Sequence, residues 1–166
     1  MKNSVEALEK SCSGCGACTA VCPANAITIC KDANGFFTAS IAQERCLNCG
    51  ICQQVCMRKD YLCSTDIRTG RLYAMQSRQA ETIKACTSGG VAFELAKSAF
   101  ALGKTVVGTA YNFHTNQAEM IVAKTNDDLE KFKGSKYLQS YSGDCIRQVF
   151  DLAAQQPERE FVVFGT

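Results

Sequence analysis

Apolar residues between positions 91 and 102 recur every three or four residues, which is the spacing of one face of an α-helix. Gly103 follows this run, and a glycine in that place commonly ends a helix. The pattern therefore predicts an amphipathic helix over 91–100 that buries one apolar face. The residues of this predicted face are Val91, Leu95, Ala99 and Leu102.

The chain after residue 70 alternates short apolar runs with helical patterns. The runs predict four strands, and the second and the last of them are expected to be buried. Helical patterns predict a short helix over 126–132, capped by Asn126, and a longer helix over 146–154. Strands that alternate with helices predict a mixed sheet with helices packed against it. The predicted strands cover 71–75, 104–110, 120–123 and 161–164.

A different pattern, with period two, appears nearer the start of the chain. Residues 26–29 and 36–41 alternate apolar with polar side chains, as half-buried strands do. Asn34-Gly35 lies between them, and this dipeptide favours the tight turn that joins two antiparallel strands. The sequence therefore predicts a small β-hairpin.

Cysteine dominates the composition, with 12 residues among 166, against one histidine and no tryptophan. Ten of the cysteines fall between Cys12 and Cys63, and only Cys86 and Cys145 follow. Inside a cell thiols are held reduced, so a dense cysteine pattern there indicates metal or redox chemistry rather than disulfides. The shift in composition predicts two domains, 1–65 and 66–166.

Charge and hydropathy exclude several classes of function. The 18 Lys and Arg residues nearly balance the 16 Asp and Glu residues, and no block of like charge is present, so we expect no nucleic-acid partner. Glu6 stands where a secretory signal would have its apolar region, and no window approaches the ~18 apolar residues of a membrane span. We expect a cytoplasmic protein without a membrane span.

The first third of the chain contains an internal repeat. The spacing C-x2-C-x2-C-x3-C occurs twice, 34 residues apart. Gly16 and Gly50 follow the second cysteine of each run, and Val21 and Val55 precede the fourth, so the repeat includes packing positions and indicates a duplication. The two runs are Cys12, Cys15, Cys18 and Cys22, and then Cys46, Cys49, Cys52 and Cys56.

This spacing favours iron–sulfur clusters. Three thiolates spaced by three residues can hold one face of a 4Fe-4S cube, and in two-cluster proteins the fourth ligand comes from the other repeat. We assign the first cluster to Cys12, Cys15, Cys18 and Cys56, and the second cluster to Cys46, Cys49, Cys52 and Cys22. A pair of zinc knots is the alternative, although zinc sites typically use two separated C-x2-C pairs. Cys30 and Cys63 fall outside both runs, and we predict structural roles for them as buried cysteines.

Two segments of the second domain could bind an anion or a cofactor. Ser88-Gly89-Gly90 precedes the helix predicted over 91–100, and the N-terminus of a helix attracts phosphate groups, although such caps also occur where nothing binds. The segment 131–140 combines three lysines with hydroxyls, an amide and an aromatic ring, which could hold a phosphorylated planar cofactor. The alternative for this segment is a solvated loop.

Two stretches of the chain resemble known families. Residues 12–57 resemble a bacterial-type dicluster ferredoxin domain, which carries two 4Fe-4S clusters and passes single electrons between them. Residues 71–166 resemble the N-terminal domain of the coenzyme F-420 hydrogenase/dehydrogenase beta-subunit family. The motifs of this second resemblance are Cys86-Thr87-Ser88-Gly89-Gly90, Val106-Val107-Gly108-Thr109-Ala110-Tyr111, Lys133-Gly134-Ser135-Lys136-Tyr137-Leu138-Gln139-Ser140 and Phe161-Val162-Val163-Phe164-Gly165-Thr166.

The second resemblance implies a flavin. Members of that family are iron–sulfur flavoproteins that bind FAD and move electrons between clusters and a two-electron acceptor, in the best-known members the deazaflavin coenzyme. Their chains continue past the last matching strand, so we expect the segment that ends at Thr166 to belong to a longer protein. The resemblance assigns the flavin phosphates to Ser88, Gly89 and Gly90, and the rest of the cofactor cleft to Ser135, Lys136, Tyr137, Gln139 and Ser140.

The sequence thus predicts an α+β protein, in which a small dicluster ferredoxin domain precedes an α/β segment with a mixed sheet. The leading hypothesis is an iron–sulfur flavoprotein oxidoreductase with two 4Fe-4S clusters and FAD. Its partners would be an electron donor or acceptor protein and a small-molecule two-electron acceptor. The alternative is a ferredoxin-type electron-transfer subunit that lacks a flavin and docks to a partner oxidoreductase.

Overall fold

The computed structural model of the chain describes residues 12–58 and 71–165. The predicted domain boundary at residues 65 and 66, the residue Cys63 and the final Thr166 lie outside the described residues. The helices and strands of the described ranges are α1 (Ala17–Ala20), β1 (Ile27–Lys31), β2 (Phe37–Ile41), α2 (Ile51–Gln54), α3 (Ala80–Ala85), α4 (Val91–Ala101), β3 (Thr105–Asn112), β4 (Gln117–Val122), α5 (Asn126–Glu130), α6 (Gly143–Gln155) and β5 (Phe161–Val163).

The first domain contains the predicted hairpin. Strands β1 and β2 pair antiparallel, and the turn between them is held by the Asp32 carboxylate, which accepts hydrogen bonds from the N–H groups of Asn34 and Phe36 at 2.8 and 2.9 Å. Gly35 adopts a φ of +85°, a conformation that glycine takes without a steric penalty. The hairpin prediction is confirmed, and the hairpin separates the two cysteine loops along the chain.

The second domain is built on a three-stranded mixed sheet of order β4-β3-β5. Strand β3 pairs antiparallel with β4 and parallel with β5, so the predicted mixed sheet is confirmed. Helices α4 and α5 contribute to the core that covers this sheet. The buried residues of that core are Phe93, Ala96, Ala99, Val106, Ala123 and Leu129.

Two predicted strands differ from the structure. The strand predicted over 71–75 is wrong, because that segment has no strand and Leu72 is fully exposed. Apolar residues form a strand only where another strand offers hydrogen-bond partners, and the segment finds none among the described residues. The last strand, β5, is shorter than predicted and lies at the edge of the sheet, where Val163 is 53% exposed rather than buried.

Helix α4 forms as predicted and ends before Gly103, but it buries a different face. Leu95 and Leu102 are 56% and 72% exposed, whereas Phe93 and Ala96 are buried together with Ala99. The small alanines let the helix approach the sheet closely, and the Phe93 ring fills the space beside them.

Helix α5 also begins differently from the prediction, because Thr125 rather than Asn126 is its N-cap. The Thr125 hydroxyl accepts a hydrogen bond from the Asp128 N–H, and the Asp128 carboxylate accepts one from the Thr125 N–H. This reciprocal pair is a capping box.

The two domains pack through α1 and α6. Ser142, at the start of α6, donates its hydroxyl to the Gly14 carbonyl at 3.0 Å, and the Arg147 guanidinium donates to the Thr19 carbonyl. The rings of Phe37 and Tyr141 lie 5.3 Å apart across the same interface. The second domain therefore contacts the first cysteine loop, residues 12–22.

The helices within the described ranges are too short or too polar to cross a membrane.

Candidate functional site

The first cysteine run lies around a small cavity in the first domain. Cys12, Cys15 and Cys18 line this cavity together with Cys56, which comes from the other run. Apolar side chains of the hairpin, those of Ile29 and Ala39, form part of its wall. The structure thus brings together the four thiols that we assigned to the first cluster.

A second cavity repeats this arrangement. Cys46, Cys49 and Cys52 line it together with Cys22 from the first run. The crossed grouping arises because α1 and α2 pack against each other, so the last cysteine of each run reaches the other loop. Ligation of iron by these eight thiols stays a prediction. The structure groups the thiols into the two sets of four that this prediction requires.

The local backbone explains how the loops curl. Gly16 and Gly50 begin α1 and α2 with φ values of +78° and +76°, the left-handed conformation that favours glycine. Backbone N–H groups point at two of the sulfurs: Gly14 and Ala39 each donate to Cys12 Sγ at 3.4 Å, and Ala26 donates to Cys22 Sγ at 3.3 Å. Such hydrogen bonds stabilise sulfur that carries negative charge.

The electrostatics of the first cavity suit a cationic centre. Burial, together with the neighbouring thiols of Cys15, Cys12 and Cys52, raises the pKa of the Cys18 thiol to about 12. A thiolate is the form that binds metal, so ionisation here requires compensating positive charge, which iron supplies. Four thiols around a largely apolar cavity, of which Cys18 is buried, with N–H groups aimed at sulfur, fit a 4Fe-4S cube.

Residues 12–58 and 71–165 contain no group of three or more Cys, His, Asp or Glu side chains placed to hold a single metal ion.

A larger cleft of about 690 Å³ opens in the second domain. Its walls are the N-terminus of α4, the strand β3, the loop 132–139 and Phe164 after β5. Its size falls within the range of pockets that bind small molecules and cofactors. Both segments that the sequence singled out for cofactor binding contribute to it.

Of the eight residues assigned to a flavin, six line this cleft and two do not. Gly89 is turned away, because its carbonyl accepts a hydrogen bond from the Ser77 N–H at 2.6 Å and a Cβ on it would lie 2.8 Å from the Met75 carbonyl oxygen. Ser140 follows the segment that lines the cleft. The six lining residues are Ser88, Gly90, Ser135, Lys136, Tyr137 and Gln139.

A hydrogen-bonded pair ties the two rims of the cleft together. The Thr87 and Ser135 hydroxyls lie 2.9 Å apart, and the Ser135 N–H donates to Thr87 Oγ1 at 2.8 Å. These bonds connect the segment before α4 to the lysine-rich loop, so the spacing between the rims is set by the protein itself.

The lysines of this loop are engaged with the protein. Lys136 Nζ donates to the carbonyls of Lys131 and Lys133 at 2.8 and 2.9 Å, and burial lowers the pKa of Lys136. Lys133 pairs with Glu130 at 2.5 Å and lies 4.2 Å from the centre of the Phe93 ring. Tyr137, by contrast, is 91% exposed at the mouth of the cleft.

Thr109 is a cleft residue that sequence reasoning missed. It lies on β3, lines the cleft and is only 6% exposed. Its hydroxyl has no hydrogen-bond partner among the described residues. Buried hydroxyls are almost always paired, so an unpaired one on a residue that lines a cleft favours a ligand nearby. The motif 106–111 of the second resemblance includes it, but it was not assigned to the cofactor because a threonine in an apolar strand is ordinary.

The cleft also receives the N-terminus of α4. Gly90 precedes this helix with a φ of +71°, and no side chain caps it. The first N–H groups of a helix have no partner within the helix, and they carry a partial positive charge. An anionic group in the cleft would meet these donors on one side.

Gln139 lies where the cleft meets the first domain. Its side chain accepts a hydrogen bond from the Phe37 N–H and donates to the carbonyls of Ser13 and Phe37. The residue therefore lines the cleft and contacts the first cysteine loop.

Comparison with known proteins supports the iron–sulfur assignment. Residues 11–59 match the family described as a 4Fe-4S dicluster domain. The matched range contains both cysteine runs, which supports two 4Fe-4S clusters in this part of the chain.

Two curated proteins are similar to most of the chain. One of the subunits of F(420)H(2) dehydrogenase from Methanosarcina mazei is 24% identical over 148 residues, which cover 84% of this chain and 42% of that protein. Uncharacterized protein MJ1349 of Methanocaldococcus jannaschii is 26% identical in an alignment 180 positions long, which covers 93% of this chain and 49% of that protein. The chain thus spans less than half the length of these relatives. The similarities support an electron-transfer module of the oxidoreductase type.

Proposed function

We propose that the chain is an iron–sulfur flavoprotein module that passes single electrons through two 4Fe-4S clusters to or from FAD in the cleft. A small-molecule two-electron acceptor, such as a deazaflavin coenzyme, would exchange electrons with that flavin. The observation that carries the proposal is the continuous segment 133–142, which lines the cleft at one end and holds the first cysteine loop at the other.

Three features of the cleft favour a phosphorylated, planar cofactor. The uncapped N-terminus of α4 offers N–H donors to a phosphate, and Thr109, which lines the cleft, has a hydroxyl that lacks a partner among the described residues. The rings of Phe93, Phe132 and Phe164 line the cleft and would exclude water from an aromatic ring system.

Electron counting agrees with a two-electron acceptor. Each reduced cluster gives up one electron, and two electrons with one proton make up the hydride that such an acceptor takes. A bound flavin supplies the conversion between single electrons and electron pairs, while the protein supplies orientation and electrostatics. The similarity to a protein named as a subunit of F(420)H(2) dehydrogenase supports both a deazaflavin coenzyme and a protein partner.

Anaerobic purification tests the proposal, with iron, sulfide, zinc and flavin measured on one sample. We expect about eight iron and eight sulfide per chain, because each cluster contributes four of each. We also expect added FAD to lose fluorescence as it binds. Iron without FAD binding, in this chain and in a longer one that continues past Thr166, would favour the electron-transfer subunit without flavin. Zinc without iron would contradict both hypotheses.

A further inference from the structure

Gln139 makes three hydrogen bonds to the first domain. Its Oε1 accepts from the Phe37 N–H at 2.6 Å, and its Nε2 donates to the Ser13 carbonyl at 2.9 Å and to the Phe37 carbonyl at 3.2 Å. The side chain is partly buried and also lines the cleft. These bonds fix two backbone segments that flank the first cluster cavity.

Both segments carry a hydrogen bond to the same sulfur. The peptide group between Ser13 and Gly14 accepts from Gln139 at its carbonyl and donates from its N–H to Cys12 Sγ at 3.4 Å. Two residues beyond Phe37, the N–H of Ala39 donates to Cys12 Sγ at the same distance. A donor at a peptide carbonyl polarises that peptide and strengthens the bond from its N–H. Gln139 is thus connected to Cys12 through one peptide group.

The second loop differs from the first at the equivalent position. Gly14 and Asn48 occupy equivalent positions and both adopt left-handed backbone, with φ values of +67° and +52°. A Cβ at Gly14 would lie 2.8 Å from Gln139 Nε2 and 2.9 Å from the Phe37 carbonyl carbon, so no side chain fits there. Asn48 has a side chain, and the preceding Leu47 is 68% exposed.

We infer that Gln139 is a positioning residue that raises the reduction potential of the first cluster through the Ser13–Gly14 peptide, and that this cluster is the one beside the cleft. Hydrogen bonds to cluster sulfur stabilise the reduced, more negative state and so raise the potential. The inference rests on the proposed function, because it concerns the route of electrons to the cleft.

An EPR-monitored redox titration of the iron-loaded chain tests this inference, without added flavin. Each cluster takes up one electron from the titrant and keeps its ligands. In Gln139→Ala we expect the midpoint potential of one cluster to fall while that of the other is unchanged. In Gln139→Glu we expect a larger fall, because the carboxylate cannot donate to Ser13 and adds negative charge. Gln155→Ala, an exposed position on α6, serves as the control and should leave both potentials unchanged.

The shifted signal is assigned by comparison with Cys15→Ser, which alters the first cluster, and Cys49→Ser, which alters the second. If the shifted signal is the one that Cys15→Ser alters, the inference is supported. No shift, or an equal shift of both clusters, overturns it. A failure of FAD to bind both the unmodified chain and a longer one that continues past Thr166 would contradict the proposed function instead, and the two failures are distinguishable because the titration contains no flavin.

Discussion

Thr109 shows how a single buried side chain can point to a ligand. We expect Thr109→Val to weaken FAD binding by about threefold to tenfold, the range for the loss of one hydrogen bond. Stability should be unchanged or higher, because valine keeps the shape and removes an unpaired buried hydroxyl. Flavin fluorescence titration and thermal unfolding measure the two effects.

Thr105 on the same strand provides a matched control. Its hydroxyl is also buried, but it accepts a hydrogen bond from Arg159 at 2.7 Å. Thr105→Val should therefore lower stability and leave FAD affinity unchanged. A loss of stability in Thr109→Val with unchanged FAD affinity would show that its hydroxyl does not face the ligand.

The cysteines outside the two runs differ in accessibility. Cys30 lies exposed on β1, which corrects the predicted buried structural role, because it is on the solvent face of the hairpin. Cys145 on α6 is buried, and burial raises the pKa of its thiol to about 11. Near pH 8, Cys145 therefore has a much smaller thiolate fraction than an ordinary cysteine.

We expect iodoacetamide to modify Cys30 well before Cys145 in the iron-loaded protein. Peptide mapping by mass spectrometry at successive times measures the order. Cys30→Ser removes the expected fast site and serves as the control. Modification of Cys145 at a rate similar to that of Cys30 would mean that α6 does not stay packed against the first domain.

At the scale of an element, the capping box of α5 depends on one carboxylate. A hydrogen bond from Lys131 lowers the pKa of Asp128 from 3.8 to about 2, with further bonds from the Lys124 N–H and the Thr125 hydroxyl. Because the folded pKa lies below the unfolded one, the stabilisation is complete above about pH 4 and is lost as the pH falls toward 2.

We expect Asp128→Ala to destabilise α5 by about 1 kcal/mol, the typical value of an N-cap. Hydrogen exchange of the Lys124 and Thr125 amides should then be about fivefold faster. The ratio of variant to wild-type rates should be the same at pH 6 and pH 8, because both pKa values lie well below this window. Asp127→Ala, at an exposed residue of the same turn, is the control. Equal effects of the two variants would contradict the capping role.

Elements that are determined by local sequence could be predicted. Features that depend on packing between distant segments could not. The hairpin follows from Asn34-Gly35 and the alternation around it, and the cysteine spacing anticipates the two thiol sets. The buried face of α4 was missed because Leu95 and Leu102 look like core residues until the sheet selects Phe93 and Ala96 instead. The segment 71–75 has strand composition but no partner strand among the described residues.

The same distinction holds in the cleft. The sequence singled out both segments that line the cleft, 88–90 and 131–140. The burial of Thr109 and the orientation of Gly89 depend instead on contacts with other segments of the chain. Gln139 was predicted as a flavin residue, and its hydrogen bonds to Ser13 and Phe37 connect positions more than a hundred residues apart. Spacing within a motif carries no information about such contacts.

At the scale of the whole molecule, the interface between the domains lies beside the first cluster cavity. Arg147 on α6 donates to the Thr19 carbonyl of α1, between Cys18 and Cys22, which line different cavities. We expect Arg147→Ala to loosen this interface, because it leaves a partly buried carbonyl unpaired at a cost of about 1–3 kcal/mol. Iron release to a chelator, followed by the loss of cluster absorbance, should become several-fold faster.

Arg159→Ala separates this effect from general destabilisation. Arg159 bonds to Thr105 and Gln156 within the second domain, so its loss should lower the unfolding temperature without exposing the clusters. We therefore expect iron release from Arg159→Ala at the wild-type rate below its unfolding temperature. If both arginine variants released iron equally fast, cluster retention would depend on overall stability, and the packing of α6 on α1 would have no specific protective effect. If only Arg147→Ala releases iron faster than the wild type, the second domain shields the clusters as well as forming the cleft.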